Sequence, residues 1–177
     1  MEKQYFKEEE VINVLNQVLN GAIQMHQLKI MHRDIKPDNI LIIDKIRLVK
    51  ITDFGLAAFM EKEEWMNLII NDDLVSELST IGHKFYVSPE LINKAGYNEK
   101  NDMHCIGFTT FYMMTFDLPK ITNPNNLVRT DSKTMMDETM YDKRLIDLVT
   151  QMYDTNPSNR PSADEAKRQL DKIIHET

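Results

Sequence analysis

The residues best equipped for chemistry fall in two short runs, His32-Arg33-Asp34-Ile35-Lys36-Pro37-Asp38-Asn39 and Asp53-Phe54-Gly55. The first places a carboxylate, an ammonium group and an amide on one stretch of chain, and a loop so furnished could serve several chemistries. Between the runs lie two β-branched, apolar segments, Ile40–Ile43 and Leu48–Ile51, separated by a turn-like Asp44-Lys45. That pattern predicts a small hairpin. Its pairing would carry Asp53 back beside Asn39 and Asp34. Two carboxylates and an amide converging there suit a hard cation such as magnesium, which prefers oxygen ligands and keeps some of its waters.

The rest of the chain must hold these runs in place. Val11, Leu15, Val18, Ala22 and Met25, flanked by Ile12, Leu19 and Ile23, recur at three- and four-residue spacing and predict a mostly buried helix over 8–30. From Gly55 to Ser88 the pattern is irregular, with a charged patch at Glu61–Glu64 and hydroxyls at Ser76–Thr80. This reads as a long loop with a short helix near Trp65, and long loops are commonly functional. Helical patterning returns in Asp102–Thr115, Lys143–Tyr153 and Ser162–Ile174, the last opening with a capping-box pair, Ser162 and Glu165. Turns are expected at Asn123–Asn126 and Asn156–Asn159.

Composition narrows the classes of function. The chain has 177 residues, 42% hydrophobic and 28% charged, which fits one folded domain. Its net charge of −7 is the wrong sign for a surface that grips nucleic-acid phosphates. The start, MEKQYFKEEE, has no apolar signal region, and no apolar run approaches the roughly 18 residues of a membrane span. One cysteine, Cys105, sits in the apolar stretch Met103–Met114 and reads as core packing in a reducing compartment. The expectation is a soluble, cytoplasmic protein.

In motif order, the sequence resembles the eukaryotic protein kinase family. HRDIKPDN is similar to the family's catalytic loop and DFG to its metal-binding motif. Ser88-Pro89-Glu90 stands where the family has Ala-Pro-Glu or Ser-Pro-Glu. Asp102 opens a stretch similar to Asp-x-Trp-x-x-Gly, and Arg160 lies in an Asn-Arg-Pro turn. The ordered series covers roughly residues 8 to 174. It implies a mainly α fold with a small β-hairpin, the C-terminal lobe of a kinase domain. Its parts would be a catalytic loop at 32–39, an activation segment at 53–90 and a helical subdomain at 91–177.

The resemblance also implies roles, position by position. Asp34 would accept the proton of a substrate hydroxyl, and Lys36 would stand beside the transferring phosphoryl group of ATP. Lys36 followed by Pro37 resembles serine/threonine rather than tyrosine kinases. Asn39 and Asp53 would hold Mg2+, and Leu41 would lie under the adenine ring. Arg33 would receive a phosphate on the activation segment, with Ser76, Ser79 and Thr80 as candidate acceptors. Glu90 and Arg160 would form a buried ion pair, and Asp102 would bond the catalytic-loop backbone. His32 is expected to pack and hydrogen-bond rather than react.

The pattern also departs from the family. Some 33 residues precede Asp34, which is too few for the β-rich N-terminal lobe that completes a kinase. The glycines, Gly21, Gly55, Gly82, Gly96 and Gly107, form no Gly-x-Gly-x-x-Gly phosphate cover. Of the lysines upstream of the catalytic loop, Lys3, Lys7 and Lys29, none lies in a Val-Ala-Ile-Lys-like strand. His83 follows Gly82 where the family usually has threonine, and His104 replaces the usual tryptophan. Weaker similarity, in IMHRDIKPDN, KFYVSPE and FYMMTFDLP, points toward kinases of the translation initiation factor 2 alpha subunit. The resulting expectation is a protein serine/threonine kinase that is truncated and weakly active alone, with an apolar surface bared by the missing lobe. That lobe would come from the full-length chain or in trans. The rival is a pseudokinase-like protein-binding module, favoured by the missing glycine loop and His83 and disfavoured by the intact Asp34, Lys36, Asn39 and Asp53.

Overall fold

The computed structural model describes residues 5–60, 86–92, 98–117, 121–123, 128–129 and 135–176. Helix α1, Glu8–Gln27, buries the stripe Val11, Val14, Leu15, Val18, Leu19, Ala22 and Met25. Its start is set by Glu10, whose carboxylate accepts the Lys7 backbone N–H at 2.8 Å, and by three glutamates that complement the positive end of the helix. Its end comes earlier than the apolar periodicity suggests. Lys29 adopts a left-handed φ of 61°, and Ile30–Met31 (β1) turns away to pair antiparallel with Ala58–Phe59 (β4). Pairing therefore claims residues that the 3.6-residue pattern would have left on the helix. These two-residue strands are too short for any sequence period to reveal.

The predicted hairpin forms with the expected limits: Ile40–Ile43 (β2) pairs with Leu48–Ile51 (β3), Ile40 opposite Ile51 and Ile43 opposite Leu48. Its turn runs through three left-handed residues, Asp44, Lys45 and Ile46, at φ 49°, 50° and 73°. A β-branched residue at Ile46 is strained there. Helix α1 holds it: the Ile46 carbonyl accepts from Asn13 Nδ2 at 2.9 Å and Gln17 Nε2 at 3.3 Å, and Gln17 Oε1 accepts the Val49 N–H at 2.9 Å. Leu41, Ile43 and Leu48 on the hairpin's other face are exposed, as is Ile42.

Four more helices follow among the described residues: α2 (Pro89–Ile92), α3 (Lys100–Thr115), α4 (Lys143–Met152) and α5 (Ala163–His175). Helix α3 is buried on nearly every side, packing on α1 and α4, while α5 closes against α1 and α4. Gly107 permits the closest approach, since a Cβ there would stand 2.6 Å from Met152 Cβ and 2.9 Å from the Tyr153 nitrogen. Around it, Phe108 contacts Tyr86, Phe111 and Tyr153 ring to ring. Asp142 caps α4, and Ser162 with Glu165 forms the expected capping box of α5. The turn at Pro157–Asn159 is a single 3-10 turn. A further antiparallel pair, β5 (Ile121–Asn123) with β6 (Val128–Arg129), interrupts the helical half. The segment around Trp65 lies outside the described residues. Among the described residues, no helix is long and apolar enough to cross a membrane.

Candidate active site

The site is built from the chain that leaves β1 and the end of β3. His32 and Arg33 follow β1 directly, and their backbone N–H groups donate to the two oxygens of Asp102, each at 2.9 Å. Asp102 is fully buried in the first turn of α3, so it needs these donors. Arg33 sits at a left-handed φ of 70°, and its Nε donates to the Leu56 carbonyl, which ties the loop to the chain beyond Gly55.

His32 is buried and has its tautomer set by its neighbours. Nδ1 accepts the Asp34 N–H at 3.3 Å, so Nε2 carries the hydrogen and donates to the Thr52 carbonyl at 3.0 Å. Phe54 packs edge-on against the ring, centroids 4.9 Å apart. Ile35, wholly buried, anchors the loop in the core.

Asp34 then receives two donors on one oxygen. Lys36 Nζ lies 2.7 Å from Oδ2, and Asn39 Nδ2 donates to the same Oδ2 and to the Asp34 carbonyl, each at 2.8 Å. Pro37–Asn39 forms the 3-10 turn that brings Asn39 back over Asp34. With Oδ2 occupied, Oδ1 is the oxygen that can take a proton from an incoming hydroxyl. The Asn39 amide spends both hydrogens on Asp34, so its oxygen is the atom it can offer to a cation.

Thr52 extends the hairpin by one step, its N–H and Oγ1 both donating to the Asn39 carbonyl at 2.9 and 3.2 Å. Asp53 is the next residue, exposed and held at φ 61°. Its Oδ1 accepts the Gly55 N–H at 3.2 Å, and a Cβ on Gly55 would stand 3.1 Å from that oxygen. Glycine is thus what this tight return accommodates.

An amide oxygen and a carboxylate are hard donors and fit magnesium, which takes few protein ligands and completes its shell with water and phosphate. Among the described residues no group of three or more His, Cys, Asp or Glu surrounds a metal-sized position.

Away from this cluster, Glu90 and Arg160 form a bidentate ion pair, Nη1 to Oε1 at 2.5 Å and Nη2 to Oε2 at 2.8 Å. Leu41 is half exposed on the hairpin. Cys105 is buried, its thiol donating to the Tyr86 carbonyl, and burial first, then the charge of Asp102, pushes its pKa well above the ordinary thiol value. Ser76, Ser79, Thr80 and His83 lie outside the described residues. Two participants escape sequence reasoning. Thr52 acts through its N–H, its carbonyl and its Oγ1, and a lone threonine at the end of a strand gives no hint of it. His26 bonds Asp102, a partner 76 residues away, and a histidine at a helix end gives no hint of it.

Comparison with known proteins agrees with this geometry. The model for a protein kinase domain matches residues 1–170. Serine/threonine-protein kinase Nek9 of Xenopus laevis is 32% identical over 170 residues, covering 92% of this chain and 16% of the relative. Nek9 of Mus musculus is 34% identical over 167 residues, 90% of this chain and 16% of the relative. A probable serine/threonine-protein kinase nek2 of Dictyostelium discoideum is 31% identical over 173 residues, 93% and 38%. The chain thus spans well under half of the length of these relatives. A domain match across almost the whole chain, joined to a loop on which Asp34, Lys36 and Asn39 meet, makes this chain a member of the eukaryotic serine/threonine protein kinase family.

Proposed function

We propose that the chain carries the phosphoryl-transfer machinery of a protein serine/threonine kinase, working on ATP with Mg2+ and on hydroxyls of a protein substrate. The observation that carries this reading is the division of labour on Asp34, with Oδ2 fixed by Lys36 and Asn39 and Oδ1 left to accept a proton. Asp34 orients the substrate hydroxyl for in-line attack and takes its proton. Lys36 offsets negative charge on the transferring group. Asn39 and Asp53 are the residues that would hold magnesium, whose charge offsets that of the phosphates. In this reading Leu41 offers apolar surface to the adenine ring, and Arg33 would receive a phosphate carried by Ser76, Ser79 or Thr80.

In the same reading residues 1–177 are the C-terminal-lobe portion of the domain, with catalytic loop 32–39, activation segment 53–90 and helical subdomain 91–177. The exposed Leu41, Ile42, Ile43 and Leu48 support a covering lobe. The 177 residues contain no glycine-rich phosphate cover, so this chain assayed alone is expected to turn over slowly, because positioning supplies much of phosphoryl-transfer catalysis. We propose a cytoplasmic location, on the single buried cysteine, which suits a reducing compartment.

The experiment is thermal unfolding of chain 1–177 with and without Mg2+ and millimolar ATP, repeated on Asp53→Asn. Ligand at 100 times its Kd stabilises by about 2.7 kcal/mol. At about 2–4 °C per kcal/mol for a chain of this size, that is a rise of about 5–11 °C. A rise that requires both Mg2+ and Asp53, with transfer to a serine peptide or to translation initiation factor 2 alpha lost in Asp34→Asn, is the expected result. No shift in a folded sample would instead support the protein-binding reading.

A further inference from the structure

A second concave site lies at the end of the helical half away from Asp34. Asp102, which grips the loop carrying Asp34, stands in the first turn of α3, and Met114 stands in its last, about 18 Å farther along the helix. There a cavity of about 630 Å³ is lined by Tyr5, Met114, Met135, Met136 and Met140. Met114 and Met136 are buried and make its floor, while Tyr5 and Met140 are exposed. Four thioether side chains give a wall that is apolar and adaptable, able to repack around an incoming apolar side chain. Phe116 widens the apolar area. Its ring stacks on Phe6, centroids 5.6 Å apart, and meets Tyr5 at 6.4 Å. The ring is exposed, yet its backbone holds a left-handed φ of 47° at the end of α3. Glycine would close that helix without strain, so the fold tolerates strain here in order to keep an aromatic ring beside the cavity.

The rim is acidic. Asp137 and Glu138 also line the cavity. Asp137 Oδ1 accepts the Thr139 N–H at 2.8 Å and its hydroxyl at 2.6 Å, and among the described residues neither carboxylate has a cationic partner. Two more acids stand close by at the start of α1. Glu8 accepts the Asp142 N–H, and Tyr141, the residue before, donates its hydroxyl to the Phe6 carbonyl at 2.7 Å. The Tyr141 pKa is pushed up to about 12, by burial first and then by Tyr5 and the charges of Asp137, Glu8 and Glu10. These carboxylates therefore act on one place. Against them stand the ammonium groups of Lys7 and Lys143, since Arg144 is taken by Asp142 and Glu176.

We propose that this groove docks a basic peptide segment of a partner protein, which inserts a bulky apolar side chain among Met114, Met136 and Met140 and sets its lysines or arginines against Asp137 and Glu138. Charge complementarity selects this occupant from those an apolar cavity alone would admit. A free acyl chain brings a carboxylate that the rim repels, and a second copy of this chain, at net charge −7, brings like charge. The inference goes beyond the kinase reading and does not depend on it, because no residue of the groove takes part in the Asp34 cluster. Docking at this end would hold a protein near the chain and raise its effective concentration there.

The probe is a fluorescein-labelled amphipathic peptide with lysines on one helical face and leucine and phenylalanine at three- and four-residue spacing on the other. It is titrated into chain 1–177 carrying methyl-labelled methionine, with anisotropy giving the Kd and NMR the site. The methyls of Met114, Met135, Met136 and Met140 should shift saturably while those of Met25, Met31 and Met103 stay in place. Asp137→Asn combined with Glu138→Gln, which keeps shape and removes charge, should weaken binding about fivefold at low salt, and the difference should shrink as salt is added. Met140→Ser, a change on the exposed rim, should also weaken it about fivefold. The same peptide with glutamates in place of its lysines should not bind. No saturable shift in a folded sample, equal binding of the acidic peptide, or shifts spread over all the methionines would overturn the proposal. It would equally fall if the four methyls moved on concentrating the chain alone, which would mark a second copy as the occupant, or if decanoate moved them and the basic peptide did not.

Discussion

The ion pair between Glu90 and Arg160 allows a quantitative test of how the helical half is tied together. Arg160 is 1% exposed, and its guanidinium is also satisfied by carbonyls: Nε donates to Asp154 O at 2.7 Å and Nη1 to Lys100 O at 2.9 Å. Replacing Glu90 with glutamine removes the countercharge and keeps the shape, so a buried cation is left on carbonyls alone. Breaking a buried pair costs about 3–5 kcal/mol; the remaining carbonyl bonds place Glu90→Gln at the lower end, about 3 kcal/mol. Arg160→Met also strands Glu90 and frees those carbonyls, for about 4 kcal/mol. The double variant removes both charges together. It should cost little more than Arg160→Met, giving a coupling of about 2–3 kcal/mol. Urea unfolding followed by fluorescence and circular dichroism, with the slope checked for constancy, measures each term. A loss below about 1 kcal/mol in Glu90→Gln, or single effects that add to the double within about 0.5 kcal/mol, would refute the reasoning.

Three further outcomes follow from the same geometry. Gly107→Ala drives a methyl group into Met152 and the Tyr153 backbone, so it should destabilise by about 1–3 kcal/mol or more in the same urea assay. The Cys105 thiol, raised by burial, should resist a thiol reagent at pH 8 in the native state and react fully in denaturant. The Asp142 carboxyl is held below its ordinary pKa by side-chain bonds from Arg144, then by the Arg144 backbone N–H and charge. Its stabilising effect is therefore present above the unfolded carboxylate pKa and lost as pH falls through the lower folded value. Stability of wild type minus Asp142→Asn, measured from pH 6 down to pH 2, should shrink along that path; a difference that grew on acidification would contradict the assignment.

Much of the molecule was legible in the residues because the deciding interactions are local. The hairpin limits at Ile40–Ile43 and Leu48–Ile51 follow from β-branched runs around a polar turn, and the start of α5 from a capping pair three residues apart. The cluster of Asp34, Lys36 and Asn39 was readable for the same reason, since one short 3-10 turn suffices to close it. Where a distant partner decides, the pattern misleads or is silent. Helix α1 stops at Gln27 although the apolar period runs on, because β1 must meet β4.

The sequence by itself determined which atoms are available for chemistry and that the hairpin returns Asp53 toward Asn39. Only the tertiary structure decided how those atoms are held. The Asp102 carboxylate comes from α3 to grip the loop, His26 comes from α1 to grip Asp102, and Thr52 lends a carbonyl to His32. Each of these bonds joins groups far apart in the chain, or uses backbone atoms that every residue shares. No spacing rule encodes such a bond; packing the helices brings its partners together.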